Sequence, residues 1–504
     1  MNKQTKTVVI GAGVAGLTTA ALLLEAGHDV TVLEAQAYPG GCAGTFFYQG
    51  YRFDAGATLA GGFAAGGPHH QVAQRLGIEW PVEPVTPIAW TVHLPDGRAV
   101  SQWTEMERWR EARQTFPNSE RFWRKQEQLA DIAWDVSTRH FPWPPQDVRD
   151  LVDLGRAIRP KTLPATPYIL SSIGSFMPKN DPMLRTFIDA NLLISAQATA
   201  DHANALYGSA ALELPRRGVS HVKGGIGGIA DTLVEWIRVN GGTVLFKQSV
   251  DKIETRNGNA VAVHTNQHKR RKSSRLTIEC DTLIANVTPW GLQKLLNSSS
   301  PSMLDKEIER RNNTWGAFML YVGLDESLLP PDMVEHHQVV RDHTKPLGET
   351  NSIFISVSAK GEMGRAPLGM RAPAGRRAAN ISTHTQIEPW WALRNAPDRK
   401  QAYLERRAQY VEAMLDSAEI AIPNFKQAAK LILPATPVTY EQWTGRPMGM
   451  VGGFPQTSIL NARGPQTGLA NCWLVGDSVF PGQSTAGVTL SALRVVEKVR
   501  QTIR

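Results

Sequence analysis

The sequence predicts an α/β protein in which a discontinuous Rossmann-like domain is interrupted by an α+β domain. Three stretches carry this reading. Residues 7–34 run as strand, glycine turn, helix and strand. Residues 223–246 run as a second glycine-rich turn, a helix, a glycine pair and a strand, and residues 471–499 as strand, turn and helix. Strands alternating with helices of this length argue for parallel pairing through crossover connections. The intervening stretches differ in character, so 1–75, 218–304 and 436–504 are assigned to one domain and 76–217 and 305–435 to the other.

The first stretch is the most constrained. Val8, Val9 and Ile10 make a short apolar strand, residues 17–26 carry an apolar helical face, Gly27 stops the helix, and residues 30–33 make a second buried strand. Gly11, Gly13 and Gly16 stand in the spacing G-x-G-x-x-G, around Val14 and Ala15. Gly11 permits the tight turn, Gly13 lets a pyrophosphate approach the backbone, and Gly16 lets the helix pack closely on the sheet. The free N–H groups of the helix N-terminus suit the phosphates. Glu34 ends the second strand 18 residues after Gly16, where its carboxylate can accept hydrogen bonds from ribose hydroxyls. Three glycines alone are weak evidence. With a strand before, a helix after and an acid at this distance, they predict dinucleotide binding. Residues 7–24 also carry no charge and follow Lys3 and Lys6, as a membrane span or signal peptide would. The glycine spacing and the acidic strand end explain the run better.

With 504 residues, 42% hydrophobic and 20% charged, the chain has the composition of a soluble globular protein of about two domains. No other uncharged run nears spanning length, so no integral membrane segment is expected. A net charge of +8 is compatible with anionic lipid or nucleic acid, and equally with a solvated basic surface. Cys42, Cys280 and Cys472 lie far apart and fit no metal spacing. Buried thiols in a reducing compartment are expected, not a disulfide framework.

After Glu34 and Ala35, the pair Gly40-Gly41 lets the backbone pass against a cofactor. Residues 46–53 read as two strands around a turn at Gln49-Gly50. Asp54, Gly56 and Thr58 then open a glycine-rich loop ending near Gly67. Directly after a dinucleotide fingerprint it reads as a cofactor wall in preference to a flexible surface hairpin. Residues 76–217 hold seven of the fourteen tryptophans. There, residues 94–98 form a turn between strands, residues 105–135 are helical, and an amphipathic stretch runs to Met177 with Arg149, Arg156, Arg159 and Lys161 among apolar residues. This mixture suits a membrane interface, or a substrate domain with Trp in its core. The basic run HKRRKSSR at 268–275 reads as a solvated hairpin loop in preference to a lipid contact, and it makes no case for nucleic acid. Residues 318–324 and 352–358 are expected as strands, 361–377 as a mobile Gly/Pro/Arg loop, and 399–418 as a helix.

The motif E-A-x-x-x-x-G-G at 34–41, followed by G-Y-x-F-D-x-G at 50–56, resembles the flavin-dependent amine oxidase and phytoene desaturase superfamily. GGCAGTF…GYRFDAGATLAGG looks most like its carotenoid desaturase and carotenoid isomerase branch. The resemblance implies that the fingerprint holds FAD, non-covalently. Many members carry Arg straight after the glycine pair. This chain has Cys42, resembling the isomerases and the desaturases that act on end groups, so phosphate binding rests more on backbone N–H groups and the helix end. Gly40, Gly41, Cys42, Ala35 and Thr58 join the implied cofactor set. The resemblance sets Val250 against the adenine, Gly476 and Asp477 beside the ribityl and phosphate groups, and the helix start at Ala486, Gly487 and Val488 at the N1/C2 carbonyl side of the flavin. There the positive helix end would stabilise a reduced flavin. The contexts Asn286-x-x-Pro289 and 436–455 also resemble the branch, the latter as backbone beside flavin or polyene. Amine oxidases usually carry Gly-Glu where this chain has Gly476-Asp477. Cys472 precedes that motif on a buried strand and reads as core.

The implied activity is desaturation of a carotenoid, in look closest to cyanobacterial end-group (C-3′,4′) desaturases. A hydride passes from a C–C bond beside the polyene to flavin N5, and a neighbouring carbon of the resulting cation loses a proton. His221 and Glu213 are the acid/base candidates, and each also reads as a polar residue at a domain junction. The substrate domain should enclose a long apolar tunnel. A carotenoid is about as long as a bilayer core is thick, ~30 Å, and comes from lipid, which implies peripheral association with a membrane on its cytoplasmic side. Three rivals stay open: a carotenoid cis–trans isomerase using reduced FAD, a flavin amine oxidase, and a non-catalytic FAD-binding escort protein. The sequence assigns no oligomeric state.

Overall fold

Short apolar strands with no polar face must be covered on both sides. In the computed structural model, which describes residues 4–503 apart from 86, 105–108, 138, 140–142, 146, 269–272, 311–314, 365–368 and 397–398, five such strands form one parallel sheet. Their order is Cys472–Leu474, Thr282–Ala285, Lys6–Ile10, Asp29–Glu34, Thr243–Phe246. Alternation divides the side chains between two cores. Val9, Val32 and Ile284 pack with helices Val14–Glu25, Gly228–Val239 and Ser484–Ile503. Val8, Ile10, Leu33 and Leu283 pack with helix Pro289–Leu296 and the antiparallel sheet Ser249–Arg256, Asn259–His268, Ser273–Glu279. Burial on both faces is why these strands read as unbroken apolar runs. The uncharged run 7–24 is therefore a buried strand and a buried helix, and no helix among the described residues is long and apolar enough to cross a membrane.

Strand order reverses at Lys6–Ile10. The chain leaves it for Asp29–Glu34 on one side and returns much later to Thr282–Ala285 on the other. Such a switch point opens a crevice beyond the carboxyl ends of the strands. Gly11 and Asn286 follow those two ends.

A second sheet of seven strands runs Ala429–Ala435, Gly316–Asp325, Arg376–Thr385, Ser352–Val357, His336–Val340, Ile88–His93, Ala99–Trp103. Only His336–Val340 and Ile88–His93 pair in parallel. Phe318, Leu320, Val322 and Leu324 face helix Arg399–Ala421 through Tyr410 and Met414. Met319 and Tyr321 face the other way, onto Tyr51 and Phe53 of the hairpin Thr45–Tyr48/Tyr51–Asp54. That hairpin turns at Gln49 (φ 47°) and Gly50 (φ 88°), the geometry a two-residue hairpin turn requires. It carries the chain from the glycine fingerprint onto the second sheet. A Cβ on Gly323 would sit 2.5 Å from the Tyr51 ring, so that glycine makes room for it.

Several expectations change. The helical region expected over 105–135 is two helices, Arg110–Thr115 and Glu120–Ser137, separated at Pro117, and 105–108 lie outside the described residues. Trp109 and Trp123 stack with centroids 4.0 Å apart in a core shared with Phe187, so these tryptophans are interior. The centre of HKRRKSSR, residues 269–272, lies outside the described residues, between two antiparallel strands. The loop 361–377, expected to be mobile, is pinned by buried Arg371 and Arg377, with 365–368 outside the described residues. Residues 436–451 form helix Pro437–Thr444, capped by Thr436, and a return in which Val451 N–H donates to Trp315 O at 3.0 Å.

Candidate functional site

The crevice is walled by backbone. Gly11 (φ +93°) turns out of its strand, and its N–H donates to Leu33 O at 2.8 Å. A Cβ on Gly13 would lie 2.6 Å from Asn286 Nδ2, and one on Gly16 would strike the Gly11 carbonyl oxygen. Helix Val14–Glu25 starts at Gly13 with no side-chain cap, and the Val14 and Ala15 N–H groups have no acceptor among the described residues. Gly40 (φ +107°) closes the opposite wall by donating its N–H to Ala12 O at 2.8 Å, with Gly41 and Cys42 following in a single 3₁₀ turn. Glu34 is buried. Its Oε2 accepts from Ala12 N–H at 2.7 Å and its Oε1 from Gln36 N–H at 2.8 Å. Burial pushes its pKa up, against the pull of the backbone N–H groups of Gln36, Ala12 and Ala35. Each carboxylate oxygen keeps a lone pair for a hydroxyl donor. Gln248 N–H donates to Glu34 O at 2.8 Å, which brings strand Ser249–Arg256, with partly buried Val250, alongside.

The C-terminal segment supplies the far wall. Gly476 (φ +119°) donates its N–H to Ser491 Oγ at 3.2 Å. Asp477 pairs with Arg446 at 3.0 Å, and Arg446 Nε also donates to Met450 O at 2.7 Å. Burial raises the Cys42 thiol pKa; the Arg446 charge opposes this and Asp477 adds to it. Arg446, whose role sequence reasoning missed, thus brings a cation to the Cys42 side of the crevice. Ala486, Gly487 and Val488 stand in the first turns of helix Ser484–Ile503, and Gly487 is packed against the Gly482 carbonyl too closely for any Cβ. Gln483 Nε2 and Thr485 Oγ1 are buried there with no hydrogen-bond partner among the described residues. Buried polar atoms need partners. These orphans, the uncapped N–H groups and the glycine walls together fit a long polar ligand with a phosphate centre.

A second polar cluster sits where the hairpin meets the seven-stranded sheet. Arg371 is buried between Asp54 Oδ2 at 2.5 Å and Glu362 Oε1 at 3.2 Å, and His221 Nε2 lies 3.0 Å from the same Glu362 oxygen. Asp54 Oδ1 accepts from Ile226 N–H at 2.9 Å and Thr45 Oγ1 at 2.8 Å. A Cβ on Gly225 (φ +114°) would lie 2.6 Å from Asp54 Oδ1, so the second glycine-rich turn closes round this carboxylate. Burial raises the Glu362 pKa, but the Arg371 charge, His221 and the Gly224 N–H outweigh it and hold the group down at about 2. The cluster continues through His336 Nδ1 to Ser356 Oγ at 3.0 Å, and from Ser356 to Thr58 Oγ1 at 2.6 Å. Burial keeps His336 well below the usual histidine range.

Of the two acid/base candidates, His221 belongs to this cluster. Glu213 has a different setting: fully buried, it is paired with Arg216 and accepts from Gln126 Nε2 at 3.3 Å in the helical region. A carboxylate already committed to a guanidinium is a poor proton carrier. Thr58, expected along the cofactor, spends its hydroxyl on Ser356.

Comparison with known proteins accords with this geometry. The flavin containing amine oxidoreductase profile matches residues 14–500. Prolycopene isomerase 1, chloroplastic, of an Oncidium hybrid cultivar is 26% identical over 98% of this chain and 83% of its own. The 4,4′-diapophytoene desaturase (4,4′-diapolycopene-forming) of Methylomonas sp. is 21% identical over 96% of this chain and 93% of its own. Among solved structures, an oxidoreductase from Methanosarcina mazei superposes with a TM-score of 0.63 at 19% identity, covering 98% of this chain and 100% of its own. The five-stranded parallel sheet and its glycine crevice are thus a Rossmann-like FAD-binding fold, and the chain is a flavoprotein that belongs to the flavin containing amine oxidoreductase family.

Proposed function

We propose that the chain is an FAD-dependent carotenoid desaturase that introduces a double bond near one end of a polyene. The observation that carries this reading is similarity along nearly the whole chain to proteins named for prolycopene isomerisation and for 4,4′-diapophytoene desaturation. Bound in the crevice, FAD supplies the hydride acceptor. The remaining work falls to residues of the chain. The free N–H groups of Val14 and Ala15 would hold the pyrophosphate, and the N-terminus of Ser484–Ile503 would favour negative charge on the reduced flavin. His221, with Nε2 3.0 Å from Glu362 and Nδ1 without a partner among the described residues, would take up the proton that a polyene cation releases. Such a cation is strongly acidic, so an imidazole is base enough. The domain of residues 76–217 and 305–435 encloses the polyene in an apolar tunnel and keeps water from the cation.

The experiment mixes the FAD-loaded protein anaerobically with acyclic carotenoids in detergent micelles and follows the flavin absorbance and the product mass. Bleaching with products two hydrogens lighter is expected. Unchanged mass with an altered cis/trans profile after prior reduction would establish the second reading, carotenoid isomerisation, which the 26% identity to a prolycopene isomerase favours. Peroxide release with amines would instead mark an amine oxidase, and bound flavin without any turnover an escort protein.

A further inference from the structure

Helix Val148–Ala157 is amphipathic in the reverse sense, with its polar side turned inward. Asp150 is buried and pairs with Lys498 at 2.5 Å. Asp147 caps the helix, accepting from Asp150 N–H at 2.8 Å, and pairs with the same lysine at 3.1 Å. On the opposite side Val148, Leu151 and Val152, spaced i, i+3 and i+4, are 76%, 57% and 48% exposed. Further along the chain Ile158, Leu163 and Leu170 are 59%, 58% and 77% exposed. A helix that meets water shows the opposite pattern, and a contiguous apolar patch of this kind marks an interaction surface. Its border is basic: Arg149, Arg156, Arg159 and Lys161 are all exposed along the same segment. The acids of the helix are engaged, Asp147 and Asp150 by Lys498 and Asp153 by Arg156 at 3.2 Å.

We propose that this face docks on a lipid bilayer carrying anionic headgroups. The helix lies in the plane of the interface, with Val148, Leu151, Val152 and Ile158 among the acyl chains and the arginines at the phosphates. An apolar face bordered by cations matches that surface in both chemistry and shape. Lys498 holds the docked helix to the C-terminal helix 14 residues from Ser484, about 21 Å along its axis. The inference uses exposure and charge alone and does not rest on the proposed reaction.

The test is flotation of the full-length, FAD-loaded protein with vesicles of phosphatidylcholine, alone or mixed with phosphatidylglycerol. The protein should float with the mixed vesicles and be released as salt rises. The double variant Leu151→Glu, Val152→Glu should lose about tenfold in partitioning, and Arg156→Gln with Arg159→Gln several-fold, each with flavin content and melting temperature unchanged. Wild-type protein that stays at the bottom of the gradient with both vesicle types, or a double variant that floats as well as wild type, overturns the proposal. So does a wild-type dimer in solution that the double variant splits, because the face would then join two copies. Turnover in detergent micelles reports on the proposed reaction separately and should not change in either variant.

Discussion

The glycine crevice and the Asp54–Arg371–Glu362–His221 cluster are both polar and buried, yet they are built by opposite means. The crevice is made of backbone: its walls are N–H groups and carbonyls, and glycine keeps side chains out. The cluster is made of charged side chains, and its backbone only delivers them. One is intolerant of an added atom, the other of a missing charge.

The sharpest way to break this comparison is Arg371→Met. It leaves Asp54 and Glu362 buried without their cation, and stability should fall by about 3–5 kcal/mol, read as an earlier urea midpoint. An unchanged midpoint would make the cluster ornamental. Gly16→Val attacks the other region. Its side chain would strike the Gly11 carbonyl, and an overpacking cost of about 1–3 kcal/mol predicts roughly 5- to 150-fold weaker FAD binding, measured by equilibrium dialysis of flavin. Glu34→Gln removes charge but few atoms. One of its two backbone N–H bonds is lost, because an amide nitrogen cannot accept, and about 1 kcal/mol gives roughly fivefold weaker FAD binding. The smallest effect sharpens the cluster's electrostatics. The Glu362 pKa is lowered from 4.5 to about 2 in the folded state, so its contribution is complete above pH 4.5 and is lost as pH falls from there towards 2. Down to about pH 4 the loss should stay under about 1 kcal/mol. Urea midpoints across this window should fall less steeply for Glu362→Gln than for wild type.

The same contrast explains what was legible in the sequence. A backbone site writes its needs along one continuous segment, so Gly11, Gly13, Gly16, Glu34 and Gly40 could be read from spacing alone. The hairpin at Gln49-Gly50 and the strands around it were readable for the same reason. The charged cluster joins Asp54 to Arg371 across 317 positions, and no local pattern announces a partnership at that range. The loop that carries Arg371 accordingly looked mobile. Periodicity showed that the segment around Arg149 and Arg156 is amphipathic, but not which side faces out; that depends on Lys498, far along the chain. The tryptophans gave the reverse difficulty. Their number left a membrane interface and a Trp-rich core both open, and packing against helix Pro182–Ala196 puts Trp109 and Trp123 inside.

The parallel sheet holds one further consequence, for biosynthesis. Its strand Lys6–Ile10 leaves the ribosome long before Cys472–Leu474, which lies on the far side of Thr282–Ala285. At about 5–20 residues per second, the fingerprint waits roughly half a minute to a minute and a half for the strand and helix that complete its crevice. Flavin loading therefore follows the synthesis of Cys472–Leu474 and Ser484–Ile503, long after the nucleotide-binding turn is made.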